Sequence, residues 1–147
     1  MEIRDFLKEE DVAIDFRAAD KSSLLRALAI CAGAAVRLPA DAIADALEQR
    51  DDLGSTGIGG GVCIPHARFR EIRKPFGVFV RLEHPIDYDA IDGEPVDLAF
   101  LLLLPASSQL DQLNALAAVA RKLRAPETLR RLREADDEAA FYKAIAG

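Results

Sequence analysis

One stretch of this chain carries the residue types for nucleophilic chemistry: Gly-Ser-Thr-Gly-Ile-Gly-Gly-Gly-Val-Cys-Ile-Pro-His-Ala-Arg, residues 54–68. Gly54, Gly57, Gly59, Gly60 and Gly61 open the backbone, the apolar run Val62-Cys63-Ile64 follows, and Pro65 fixes the approach to His66, one of two histidines. A neutral imidazole near pH 7 is a nitrogen nucleophile suited to reversible phosphoryl transfer. Such transfer asks the protein for in-line positioning and for donors that meet the charge on the equatorial oxygens. Glycines 57, 59, 60 and 61 permit close backbone approach with N–H groups turned toward an anion. Ser55 and Thr56 add hydroxyl donors, and Arg50 and Arg68 are nearby fixed cations able to meet a phosphoryl group. The pattern predicts His66 as phosphoacceptor, with Arg50, Ser55, Thr56, Gly57, Gly59, Gly60 and Arg68 around the group it receives.

Competing chemistries fit less well. Cys63 and His66 form a Cys-x-x-His pair, but a structural zinc site usually takes four ligands, and apart from carboxylates the sequence adds Cys31 and His84 alone. We expect no metal and no cofactor. Cys63 as a nucleophile with His66 as its base lacks a third orienting group, so Cys63 reads as a buried strand residue. Counted from Gly57, the third glycine of a dinucleotide fingerprint would fall on Val62, and no lysine completes a P-loop. His84, in Glu83-His84-Pro85, reads as part of a solvent-facing turn. Arg50 lies at a predicted helix end, where it could instead complement the helix dipole.

The elements that must position these residues follow from periodicity. Leu24, Leu28, Cys31 and Ala35 recur at helical spacing over Asp20–Val36, with Asp20 and Ser22 as candidate N-caps. A second helix starts near Pro39–Asp41, carries Ile43 and Leu47, and ends about Arg50. Val62–Ile64 predicts a short strand leading to Pro65. Phe76–Leu82 is β-branched and aromatic, hence a strand, and Val96–Leu104 is apolar on both faces, hence a central one. Between them, 84–95 is expected to be a long exposed connection. Leu110, Leu113, Ala117, Ala120 and Leu123 predict the buried stripe of a helix, followed by helices over 126–134 and roughly 137–146, the latter starting at the acidic run Asp136-Asp137-Glu138. Val12–Phe16 could add an edge strand. Helices before, between and after a few strands predict an α/β sandwich.

Composition agrees with one domain, 1–147. The chain has 147 residues, half of them hydrophobic and 30% charged, which suits a single core rather than two. A net charge of −6 gives no electrostatic footprint for nucleic acid. Two cysteines cannot form a disulfide framework, the N-terminus lacks a signal-peptide pattern, and no apolar run approaches membrane-spanning length. We expect a cytoplasmic protein with no membrane insertion.

Arg50-Asp-Asp-Leu-Gly-Ser-Thr-Gly-Ile-Gly-Gly-Gly-Val-Cys-Ile-Pro-His66 resembles the active-site signature of the mannitol/fructose-type (type 2) IIA domains of the bacterial sugar phosphotransferase system. Phe76-Gly-Val-Phe-Val-Arg-Leu-Glu and Pro85-Ile-Asp-Tyr-Asp-Ala-Ile-Asp-Gly-Glu-Pro-Val-Asp-Leu extend the resemblance through nearly the whole chain, nearest to the nitrogen-regulatory branch. It implies a mixed β-sheet sandwiched between helices on both faces. It also implies phosphorylation of His66, at Nε2, by a histidine-phosphocarrier protein. The sequence departs from the family twice. Gln112, in Asp111-Gln112-Leu113-Asn114, stands where the family commonly has a second histidine, and Ala67 replaces the usual glycine after the active one. Glutamine can donate a hydrogen bond to a phosphoryl oxygen but cannot become cationic. Alanine is tolerable unless φ is positive. Three functions remain open: a regulatory phosphocarrier acting on cytoplasmic partners, a sugar-transport phosphodonor to a IIB domain, and a binding module that has kept the fold without transfer. The resemblance to the nitrogen-regulatory branch favours the first, and the lack of a fused IIB segment lowers the second.

Overall fold

The computed structural model describes residues 1–147. After two short 3₁₀ turns, Ile3–Asp5 and Glu9–Asp11, the order is β1 (Val12–Phe16), α1 (Lys21–Val36), α2 (Ala40–Asp52), β2 (Gly57–Gly59), β3 (Val62–Cys63), β4 (His66–Phe69), β5 (Phe76–Ile86), β6 (Val96–Pro105), α3 (Gln109–Arg124), α4 (Pro126–Glu134) and α5 (Glu138–Ala146). The sheet is mixed. β6 lies at its centre, antiparallel to β5 on one side and parallel to β3 and β4 on the other. β1 closes one edge, parallel to β5, and β2 pairs with β3 at the opposite edge.

Alternation along β6 builds both layers of the core. Leu98, Phe100, Leu102 and Leu104 join a cluster with Ala115, Val119, Leu132 and Phe141 on the α3–α5 side. Ala99, Leu101 and Leu103 join Leu24, Leu28, Ile43 and Leu47 on the α1–α2 side. A strand that is apolar on both faces is buried on both, as the sequence predicts for Val96–Leu104, where Asp97 near the start is the one polar residue. Phe79 stacks between Phe100 and Phe141, with centroids 5.0 and 4.6 Å away. Arg81 on β5 closes the end of α4 by donating to the carbonyls of Leu132 and Ala135, each at 2.8 Å. Helices therefore cover both faces of a mixed sheet, as expected.

Three expectations are corrected. The 84–95 segment is not wholly an exposed connection: β5 runs on to Ile86, and Tyr88 is completely buried. The α3 stripe is rotated from its predicted position, with Leu110 and Leu113 67% and 59% exposed while Ala115, Ala118, Val119 and Leu123 are buried. The sheet beneath α3 accepts small residues, which carry little weight in a hydrophobicity pattern. The strand before Pro65 ends at Cys63 rather than Ile64, and pairing with β6 resumes at His66, which opens β4. At α1, Asp20 is the cap, accepting from the Ser23 N–H at 2.8 Å, while Ser22 bonds Glu48 instead.

Candidate functional site

β3 and β4 run along the same side of β6 with one interruption at Ile64-Pro65. Pro65 has no N–H to give, but its carbonyl still accepts from Leu102 at 2.9 Å, so the chain keeps its register through the break. His66 then lies opposite Leu102 and Arg68 opposite Leu104. Strand alternation puts these two polar residues on one face, with buried Ala67 turned to the α1–α2 core. No positive φ occurs at Ala67, so its methyl group is accommodated without strain.

A cavity of about 420 Å³ opens at this end of the sheet. Ala46, Gln49, Arg50 and Leu53 line it from α2 and the residue after it, and His66, Ala67 and Arg68 from β4; Leu104 contributes from β6, and Gln112 and Leu116 from α3. It thus brings together His66, Arg50, Arg68 and Gln112.

The imidazole is partly buried and oriented. Nδ1 lies 2.8 Å from the carbonyl oxygen of Ile64. A carbonyl only accepts, so Nδ1 carries the proton and Nε2, across the ring, keeps its lone pair. Burial pushes the His66 pKa below its ordinary 6.5; the Arg50 and Arg68 charges lower it further, against the opposing effect of the Ile64 hydrogen bond. His66 is a neutral base with a free Nε2 at physiological pH.

Neither arginine makes an ion pair with a carboxylate. Arg50 lies in the last turn of α2, which continues two residues beyond the predicted end, and one Nη1–H donates to the Gly54 carbonyl at 2.9 Å. The remaining guanidinium donors and the full charge are available to an anion. Gln112 donates through Nε2 to the Pro105 carbonyl at 2.9 Å, which tethers its carboxamide beside the cavity and leaves its second N–H free.

Ser55, Thr56, Gly57, Gly59 and Gly60 do not line this cavity. Two of the glycine amides are already bonded within the hairpin and its surroundings. The Gly60 N–H donates to Asp92 at 3.0 Å and the Gly57 N–H to the Ser55 hydroxyl at 3.1 Å. Gly59, Gly60 and Gly61 have φ of 96°, 67° and 80°, the left-handed conformation that the tight β2–β3 turn requires. A Cβ on Gly57 would meet Ala90 at 2.9 Å. Arg133 completes the clamp on the hairpin, bonding Asp97 and the Gly60 carbonyl. The glycines shape a hairpin and its packing.

Thr56 is buried, and its hydroxyl and N–H both donate to Asp51 Oδ1, at 2.6 and 2.9 Å. Asp51, also buried, pairs with Lys21 at the start of α1. Tyr88 lies 3.0 Å from the Thr56 hydroxyl, which gives its own proton to Asp51, so Tyr88 is the donor in that pair. These three partners escaped the sequence reading. Asp51 and Lys21 look like surface charges, and Tyr88 sits in an aspartate-rich segment.

Cys63 is fully buried, and burial pushes its thiol far above the usual range, which removes it as a nucleophile. His84 is exposed beside Glu83 as expected, but on β5 rather than in a turn.

The family model for the phosphoenolpyruvate-dependent sugar phosphotransferase system, EIIA 2, matches residues 5–147. A nitrogen regulatory protein of Bradyrhizobium diazoefficiens is 39% identical over 146 residues, covering 99% of this chain and 95% of that one. The crystal structure of nitrogen regulatory protein IIA-Ntr from Neisseria meningitidis superposes with a TM-score of 0.92 at 28% identity, over 97% of this chain and 98% of that one. IIA mannitol from Escherichia coli shares the fold, with a TM-score of 0.79 at 14% identity over 95% and 98% of the two chains. No helix is long and apolar enough to cross a membrane.

Proposed function

The chain belongs to the EIIA 2 family of the phosphoenolpyruvate-dependent sugar phosphotransferase system, and from that premise we propose that Nε2 of His66 accepts a phosphoryl group from the phosphohistidine of a histidine-phosphocarrier protein. The observation that carries this reading is the hydrogen bond from Nδ1 to the Ile64 carbonyl. It fixes the tautomer in which Nε2 can attack without first losing a proton. The donor's N–P bond breaks as the new one forms, and the donor imidazole leaves with the electron pair. Positive charge that develops on the His66 ring is met at Nδ1 by the Ile64 carbonyl oxygen. Arg50 meets the equatorial phosphoryl oxygens from α2, Arg68 adds charge from β4, and the free N–H of Gln112 donates from α3.

The output is regulatory. A phosphoryl group on His66 brings about −1.5 to −2 charges to a cavity mouth that holds two unpaired arginines, cancelling the positive local potential that a cytoplasmic partner meets. The full-length likeness to a nitrogen regulatory protein supports this reading over a sugar-specific phosphodonor.

The test is incubation with phosphoenolpyruvate and the cognate upstream carriers. We expect one acid-labile phosphate, mapped by peptide analysis to His66 and abolished by His66→Ala. No adduct with carriers that phosphorylate another acceptor would leave a binding module without transfer. Rapid discharge of the phosphorylated protein to a sugar IIB domain would instead assign it to sugar uptake.

A further inference from the structure

We infer that Asp51 and Thr56 are positioning residues for phosphoryl transfer, acting through one buried hydrogen-bonded relay that holds the His66 imidazole and Arg50 in register with each other. The inference rests on the phosphoacceptor reading of His66 and adds two residues that touch neither the ring nor the cavity.

The relay runs backward from the histidine. His66 Nδ1–H donates to the Ile64 carbonyl at 2.8 Å. The Ile64 N–H, on the same residue, donates to the Thr56 carbonyl at 2.9 Å. Thr56 is in turn fixed at two points, its N–H and its hydroxyl both bonded to Asp51 Oδ1. The second oxygen of Asp51 faces the Lys21 ammonium, which also sits 4.9 Å above the Tyr88 ring. Tyr88 donates to the Thr56 hydroxyl and closes the cluster. Four segments meet here: the first turn of α1, the last turn of α2, the strand entering β2, and the connection after β5.

Arg50 is the neighbour of Asp51 on the last turn of α2, and its guanidinium bonds Gly54 in the turn that Asp51 itself spans to reach Thr56. The Gly54 N–H donates to the Asp51 carbonyl at 3.1 Å. One carboxylate therefore ties the last turn of α2, which carries the arginine, to Thr56, whose carbonyl holds the Ile64 that orients the imidazole. A surface acid in its place would leave two groups of the transition state on independent mounts. Asp51 and Thr56 are 5% and 4% exposed, so solvent cannot substitute for either partner.

The test compares Thr56→Val, which keeps shape and the backbone bond but deletes the hydroxyl, with Thr56→Ser, which restores it. Tyr88→Phe removes the outer donor from an otherwise unchanged ring and serves where Thr56→Val does not fold. Arg81→Met, which uncaps α4 away from the cavity, is the control for stability alone. Two measurements are made on each: nitrogen-15 NMR of the His66 ring, and the kcat and KM of phosphorylation by the carrier. In the wild type we expect a single Nδ1–H tautomer with a slowly exchanging ring proton. Thr56→Val should show a mixed tautomer or a fast-exchanging proton, and a kcat lower by roughly ten- to a hundredfold with KM for the carrier unchanged. Tyr88→Phe should move both readouts the same way by less, Thr56→Ser should recover them, and Arg81→Met should lower Tm while moving neither. A wild-type ring signature and kcat in Thr56→Val and Tyr88→Phe, or a kcat loss that merely follows Tm as in Arg81→Met, would overturn the inference. If the wild type takes no phosphate, the reading of His66 fails, while the ring signatures still decide whether the relay orients it.

Discussion

Replacing Arg50 by alanine separates transition-state stabilisation from every other task of that residue. Its guanidinium lines the cavity, pairs with no carboxylate, and uses one donor on the Gly54 carbonyl. The folding cost is small: one exposed hydrogen bond and a favourable charge at a helix C-terminus are together worth about 1 kcal/mol, against the 5–15 kcal/mol typical of a domain. The catalytic cost is larger. Deleting one preorganised donor at a developing anion lowers kcat about 10²- to 10³-fold, or roughly 2.7–4 kcal/mol. A second effect has to be kept out of the measurement, because Arg50 also helps hold the His66 pKa down, and its loss lets that pKa rise. Even at an unperturbed pKa of about 6.5, however, about 97% of the imidazole is neutral at pH 8. The assay is therefore rapid-quench phosphorylation by the carrier at pH 8, with carrier concentration varied. A kcat lowered about a hundredfold with little change in KM is the expected result. A kcat within about threefold of wild type would refute the assignment, and a loss confined to KM would move Arg50 from the transition state to the docking surface.

Two more outcomes follow from the same geometry. With the small donor phosphoramidate, the rate of His66 phosphorylation should climb with pH to a plateau, with its midpoint below 6.5, because protonation of Nε2 removes the nucleophile and burial lowers that pKa. By linkage the unfolded chain takes up this proton first, so stability should fall as pH drops below about 6.5 toward the folded-state pKa; a midpoint above 6.5 in NMR titration of His66 would contradict both. Gln112→His should speed onward transfer to an acceptor by roughly tenfold, since a cationic donor replaces a neutral one beside the cavity, and unaltered rates in both directions would take residue 112 out of the transition state.

The sequence disclosed the parts of this molecule that are determined locally. The β6 run, apolar without a break from Leu98 to Leu104, announced a strand buried on both faces, and the Pro65-His66 junction announced a presented imidazole. What it could not disclose is why a residue type is present when several physical causes select the same type. Glycine reports that a Cβ is unwelcome at 57 or that φ is positive at 59–61. A tight hairpin and a phosphate cradle ask for the same residues, so residue type alone does not separate them; in the fold the amides of Gly57 and Gly60 are bonded to Ser55 and Asp92. Leu110 and Leu113 were read as core for a similar reason: leucine dominates a hydrophobic pattern, yet the helix face that meets β6 is set by Ala115, Ala118 and Val119. Asp51 is the instructive case. Beside Arg50 and Asp52 it is indistinguishable from a solvated acid, and its role depends on Lys21, 30 positions earlier, and, through Thr56, on Tyr88 in a later connection. Burial of a charge is tolerated when its partners converge on it, and convergence of distant segments is a property of the fold rather than of spacing. A histidine site can thus be found from the residues around it in sequence, while the groups that aim it have to be found from the sheet and helices that bring them together.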